Sequence, residues 1–244
     1  MFLKKIRNNR NKIFIKDLYD MKIQLQGSKF LYIIMFVLLL IFPFSEVHSE
    51  QSHKKMYIKI DLWTKELYLF EGEKVVKKYI ISPGSEEMPT PIGIFTVTEK
   101  SKSWGGGFGT RWIGLNVPWG TYGIHGTNKP WLIGKNVSSG CIRMRNKDVE
   151  ELYESVSEGI TVQIDGPITG IGKGELKNLS LGSKGNLVQI VQQRLKLMGF
   201  YNGPVNGIYD KETENAVEKF QVSHDLPMTG GIMIREYILL GILE

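Results

Sequence analysis

A single cysteine, Cys141, and four histidines supply all the thiol and imidazole in 244 residues. One cysteine excludes an internal disulfide, so each folded part stands on its hydrophobic core alone. Long apolar runs are also missing. The longest, Phe30 to Phe44, has 15 residues, whereas a helix crossing a hydrocarbon core of about 30 Å needs roughly 20. The basic surplus is small outside the N-terminal segment. Residues 1–49 hold eight Lys and Arg against Asp17, Asp20 and Glu46, and so account for +5 of the formal +6. The remainder carries 23 basic and 22 acidic residues. That balance gives no basis for nucleic-acid binding, which needs a basic surface on the folded domain.

What the apolar run does fit is the h-region of a secretory signal. Lys29 precedes it, Pro43 stands near its end, and Val47-His48-Ser49 offers small residues where a signal peptidase reads. Residues 1–49 are therefore expected to be a leader cut after Ser49, with Met21 as an alternative start, and the protein is expected to be exported. A lone thiol outside the cytoplasm is exposed to oxidation and mispairing, so its presence asks for a reason.

From Met56 the pattern is strand-like. Tyr57–Leu62 alternates apolar and polar residues, Leu67–Phe70 and Val75–Ile81 follow polar turns, and Ile94–Val97 and Ile160–Ile164 add further strands. Residues 101–123, rich in Gly and Trp, read as too broken for regular structure. One helix is expected over Asn146–Ser155, where Val149, Leu152 and Val156 share a face. The expected fold over 56–166 is mainly β, an antiparallel sandwich-like sheet with one helix. Four glycines and a proline in 166–178 mark a linker, placed at 167–176. Beyond it, residues 177–244 read as a small all-α domain of three helices. Val188, Val191, Leu195 and Met198 trace one helical face, Asp210 caps a second helix with Thr213, Ala216, Val217 and Phe220 inward, and Ile232–Leu240 supplies the third. This part has no His/Cys cluster or paired carboxylates. It is expected to bind, not to catalyse.

The stretch from Tyr122 to Met144 concentrates the chemistry. A thiol becomes a strong nucleophile as the thiolate, which a neighbouring imidazole or cation favours. Cys141 is the candidate nucleophile, and His125 the base that takes its proton and later delivers it to a leaving amine. The Gly126 carbonyl is suited to hold the ring in one tautomer. Gly140 lets the chain approach a substrate closely, with the N–H groups of Gly140 and Cys141 turned toward an oxyanion. Arg143 suits a substrate carboxylate. A thiolate, a base and an oxyanion hole suffice for acyl transfer, so no metal and no cofactor are called for.

His125-Gly126, followed after about fifteen residues by Ser138-Ser139-Gly140-Cys141 and Arg143, closely resembles the L,D-transpeptidase (YkuD-like) catalytic domain. Thr90-Pro-Ile-Gly-Ile-Phe95 matches that family's Thr-Pro-x-Gly-x-Phe element, and Ser139 stands where many members have a second His. Leu181-Gly-Ser-Lys-Gly185, Gln192, Gly199-Phe-Tyr-Asn-Gly203, Asn206-Gly207 and Phe220-Gln221 resemble the three-helix peptidoglycan-binding domain. Together these imply a wall-associated enzyme of cell-wall biogenesis and cell shape, acting on peptidoglycan. Cys141 would attack tetrapeptide stems, release D-alanine through a thioester and form 3-3 crosslinks, with Ser138 and Arg143 on the substrate side. The C-terminal domain would hold the glycan, and carbapenems would acylate the same thiol. The alternatives are an L,D-carboxypeptidase and a non-catalytic wall or spore-coat binding protein. A papain-like hydrolase places its Cys well before its His, and a sortase has a longer gap and Thr before its Cys. Neither pattern fits.

Overall fold

The computed structural model describes residues 55–102, 104–169 and 176–243. The expected leader, its cut after Ser49 and residues 170–175 of the linker lie outside them. The first strands are β1 (Met56–Asp61), β2 (Glu66–Glu71), β3 (Lys74–Ile80) and β4 (Gly93–Ser101). There follow β5 (Trp112–Leu115), β6 (Tyr122–His125), β7 (Ile142–Arg143), helix α1 (Asn146–Ser155) and β8 (Thr161–Asp165). Successive side chains of a strand point to opposite faces, and the alternation is visible here. Ile58 and Ile60 of β1 pair with Leu69 and Leu67 of β2 and, on the other side, with Val162 and Ile164 of β8. All six are buried.

The strands hydrogen-bond in the order β3-β2-β1-β8-β4-β5-β6-β7. β4 serves both halves of this sheet: Gly93–Thr96 pairs with β8, and Val97–Ser101 with β5. The register slips between Val97 and Glu99. Such a bulge bends a strand and increases its twist, and here it lets the sheet curl around one core. Ile58, Leu69, Val97, Ile113, Ile124 and Ile142 belong to that core, closed by Val149 and Leu152 of α1. The mainly β architecture with one helix is as expected, with one amendment: β1–β8 and β6–β7 pair in parallel.

A second amendment concerns residues 101–123, which contain β5 and the first residues of β6. All four β5 residues are buried, so neither face is polar and no alternation announces the strand.

The C-terminal part holds α2 (Asn186–Leu197), α3 (Lys211–Ser223) and α4 (Ile234–Leu239) around its own core, including Val188, Val191, Leu195, Phe220 and Tyr237. Asp210 Oδ1 accepts the Thr213 N–H at 2.9 Å, a cap worth about 1 kcal/mol. Met198, expected on the inward face, is exposed because it lies past the last turn of α2. Two buried amides tie the helices to their loops. Gln192 bonds to Gly207 N–H and the Ile208 carbonyl, and Gln221 to Gly230 N–H and the Gly231 carbonyl. Paired amides of this kind fix loop geometry in a core too small to do so by packing alone.

Candidate active site

The parallel pairing of β6 and β7 assembles the site. Ile124 opposes Ile142, and both are fully buried in the core. Strand alternation therefore turns the next residues, His125 of β6 and its register partner Arg143 of β7, to the other face. Cys141 precedes Ile142 and shares that face. All three line one cavity of about 340 Å³ together with Trp104, Phe108 and Trp112.

Each member is held by its own strand or loop. Met144 N–H donates to the His125 carbonyl (2.8 Å), and Arg143 exchanges backbone bonds with Ser82 at 2.9 and 2.8 Å. His125 Nδ1 lies 2.6 Å from the Gly126 carbonyl oxygen. A carbonyl only accepts, so Nδ1 carries the hydrogen and Nε2 the lone pair. A Cβ on Gly126 would fall 2.2 Å from Asn146 Oδ1, the atom that accepts the Thr127 N–H at 3.0 Å. Glycine is thus required where the chain turns beneath the imidazole. Gly140 has φ +104, and a Cβ there would lie 2.6 Å from Tyr122 Cε1. Only glycine combines that backbone with that proximity.

Ser138, expected on the substrate side, is buried under the loop. Its hydroxyl donates to the Cys141 carbonyl (2.5 Å) and accepts the Gly140 N–H (3.1 Å). The Gly140 N–H is thereby engaged within the loop, and it is Ser139 that lines the cavity. Arg143 makes one long contact, Nη1 to the Val137 carbonyl at 3.4 Å. Among the described residues it has no carboxylate partner, so its charge is available to the cavity. The described residues also contain no group of three His, Cys, Asp or Glu placed to hold a metal ion.

Aromatic rings line the site. Phe108 meets the His125 ring edge-on at 4.8 Å, Trp112 stacks on it at 5.9 Å, and Trp104 stacks on Trp112 at 4.8 Å. Trp112 is fixed by its Nε1–H bond to Glu99 Oε1 at 2.9 Å. Burial pushes His125 down from 6.5 to about 4. The Gly126 and Phe108 carbonyls oppose that shift, and the Arg143 cation adds to it. Burial likewise pushes the Cys141 thiol up, against the downward pull of the Gly123 N–H and Arg143. The sequence suggests a thiolate favoured by its neighbours. Burial outweighs them, and both shifts favour the neutral thiol and the neutral imidazole. Sequence patterning does not single out these rings, although the clustering of Trp104 and Trp112 just before the His-Gly pair is a usable signal.

Comparison with known proteins adds to this geometry. The "L,D-transpeptidase catalytic domain" family matches residues 55–164, and the "Putative peptidoglycan binding domain" family matches residues 184–232. "Putative L,D-transpeptidase YqjB" of Bacillus subtilis (strain 168) is 38% identical over an alignment of 124 residues, covering 44% of this chain and 70% of that protein. "Putative L,D-transpeptidase YkuD" of the same organism is 43% identical over 109 residues, 45% of this chain. The chain spans 65% of the length of that YkuD. Among solved structures, the catalytic domain of the E. faecium L,D-transpeptidase is 24% identical with a TM-score of 0.41, over 46% of this chain and 98% of that chain.

Proposed function

The chain belongs to the L,D-transpeptidase family, and from that premise we propose that it is an exported, wall-associated acyltransferase acting on peptidoglycan stem peptides through Cys141. One observation carries the proposal: the β6–β7 register puts thiol, imidazole and a guanidinium that has no carboxylate partner among the described residues on one wall of an aromatic-lined cavity. Sγ attacks the carbonyl between the third residue of a tetrapeptide stem and its terminal D-alanine while its proton passes to His125 Nε2. The Cys141 N–H faces the oxyanion, because the Gly140 N–H is engaged by Ser138. His125 returns the proton to the D-alanine amine, which leaves, and a thioester remains. The amine of a second stem attacks it, gives a proton to His125 and regenerates the thiol, leaving a 3-3 crosslink. Water at the same step gives carboxypeptidase action instead. The helical domain holds the polymer and raises the local substrate concentration. A carbapenem carbonyl would be attacked in the same way and remain on the sulfur. The test is incubation with tetrapeptide muropeptides followed by mass analysis. A dimer lacking one D-alanine is expected, and unchanged muropeptides would reject the reading.

Arg143 is the proposed anchor of the stem's carboxylate. Losing a charge-assisted bond costs about 1.5–3 kcal/mol, so Arg143→Ala is expected to lower turnover roughly ten- to a hundredfold. Alkylation of Cys141 by a small neutral reagent should barely change. Parallel collapse of both rates would show that Arg143 supports the thiol or the fold instead.

A further inference from the structure

The two cores are separate, yet one side chain of the helical part is bonded into the catalytic part. Asn186, in the first turn of α2, is only 6% exposed. Its Oδ1 accepts the Ile92 N–H and its Nδ2 donates to the Thr90 carbonyl, both at 3.1 Å. A single amide thus both accepts from and donates to one edge of a backbone segment, much as a neighbouring strand would. That segment leads to the nucleophile. Thr90 Oγ1 accepts the Gly84 N–H at 2.8 Å, and Gly84 bridges in parallel to Ser138. Next to it, Ser85 N–H donates to the Ser138 carbonyl at 2.9 Å. Ser138 Oγ in turn donates to the Cys141 carbonyl. The loop also leans on this segment directly, since a Cβ on Gly140 would stand 3.3 Å from the Pro89 carbonyl oxygen.

We propose that Asn186 is a positioning residue: through it, the helical domain sets the Thr90–Ile92 segment and thereby the loop that presents Cys141. The proposal rests on Cys141 being the nucleophile, and it makes the helical domain part of the catalytic machinery as well as a tether. The two parts also share a cavity of about 650 Å³ whose wall includes Asn186, Leu187, Tyr122 and Ser139. Releasing the clamp would therefore open one flank of the nucleophile loop.

The test uses the full chain with Asn186→Ala and Asn186→Asp. The aspartate keeps the acceptor for the Ile92 N–H but sets a carboxylate oxygen against the Thr90 carbonyl. At the start of α2 a carboxylate is otherwise favourable to the helix. A residue that served only the helix would therefore tolerate it. Both variants are expected to lower kcat on a soluble muropeptide by about tenfold or more, as misplaced reacting groups do. KM should stay within about twofold. Iodoacetamide should alkylate Cys141 faster by about threefold or more at neutral pH, because a loosened loop relieves the burial that keeps the thiol protonated. Unchanged kcat and alkylation in Asn186→Asp would overturn the proposal. Should Asn186→Ala lose cooperative melting, the aspartate variant decides alone. Should the wild-type chain turn over no muropeptide, the proposed function fails but the alkylation rates still decide this inference: equal rates in wild type and Asn186→Asp overturn it.

Discussion

Replacing Cys141 with alanine is expected to abolish muropeptide turnover and every covalent carbapenem adduct, while the fold is retained. Cys141 is the sole thiol, so no second sulfur can take over. The substitution removes one atom from a half-buried position. It leaves the bonds that shape the loop, because Ser138 Oγ holds the Cys141 main-chain carbonyl and the Gly140 N–H, not the sulfur. What an oxyanion hole and substrate binding retain without a nucleophile is about 10³–10⁴-fold over water, too little to detect against a reaction as slow as amide hydrolysis. Intact-mass measurement after carbapenem exposure gives the answer directly: a mass shift in Cys141→Ala would remove Cys141 from its role.

His125→Gln should have two separable effects. Loss of a general base and acid lowers kcat by about 10²–10⁴. The second effect appears in stability. Folding lowers the His125 pKa from 6.5 to about 4, so between those values the unfolded chain binds a proton that the folded chain refuses. Stability from this source is complete above pH 6.5 and is lost as pH falls to 4, by about 3 kcal/mol. Other groups titrate in the same range, but they are common to both proteins. The wild-type unfolding free energy, measured in urea from pH 7 to pH 4, should therefore drop about 3 kcal/mol further than that of His125→Gln. A wild-type-minus-variant difference that stays constant with pH would show that the fold does not hold His125 neutral.

How far these features can be read from the chain depends on how local their causes are. That His125, Cys141 and Arg143 come together is legible because their residue types stand at short spacing, and because β6 and β7 need only two register pairs to unite them; that the Gly140 N–H is taken up by Ser138 is not. Strands β1 and β2 are legible because one face is buried and alternation survives. β5 is not, since burial on both faces erases the period. The resting charge state is also hidden. Sequence puts a base and a cation beside a thiol, but the ring wall of Trp104, Phe108 and Trp112 that outweighs them is built by tertiary packing. Asn186 is the hardest case. An asparagine after Gly185 reads as an ordinary helix start, and its partners lie 94 and 96 positions earlier.

The unionised state of Cys141 has a consequence for durability. Peroxide and disulfides react with the thiolate, so a sulfur that holds its proton between turnovers offers oxidants little to attack. In the exported protein proposed above, no glutathione pool would restore a sulfenic acid, and the chain has no second cysteine with which to resolve one. In the proposed reaction the proton would leave the sulfur only as it attacks, and return when the acyl group is released.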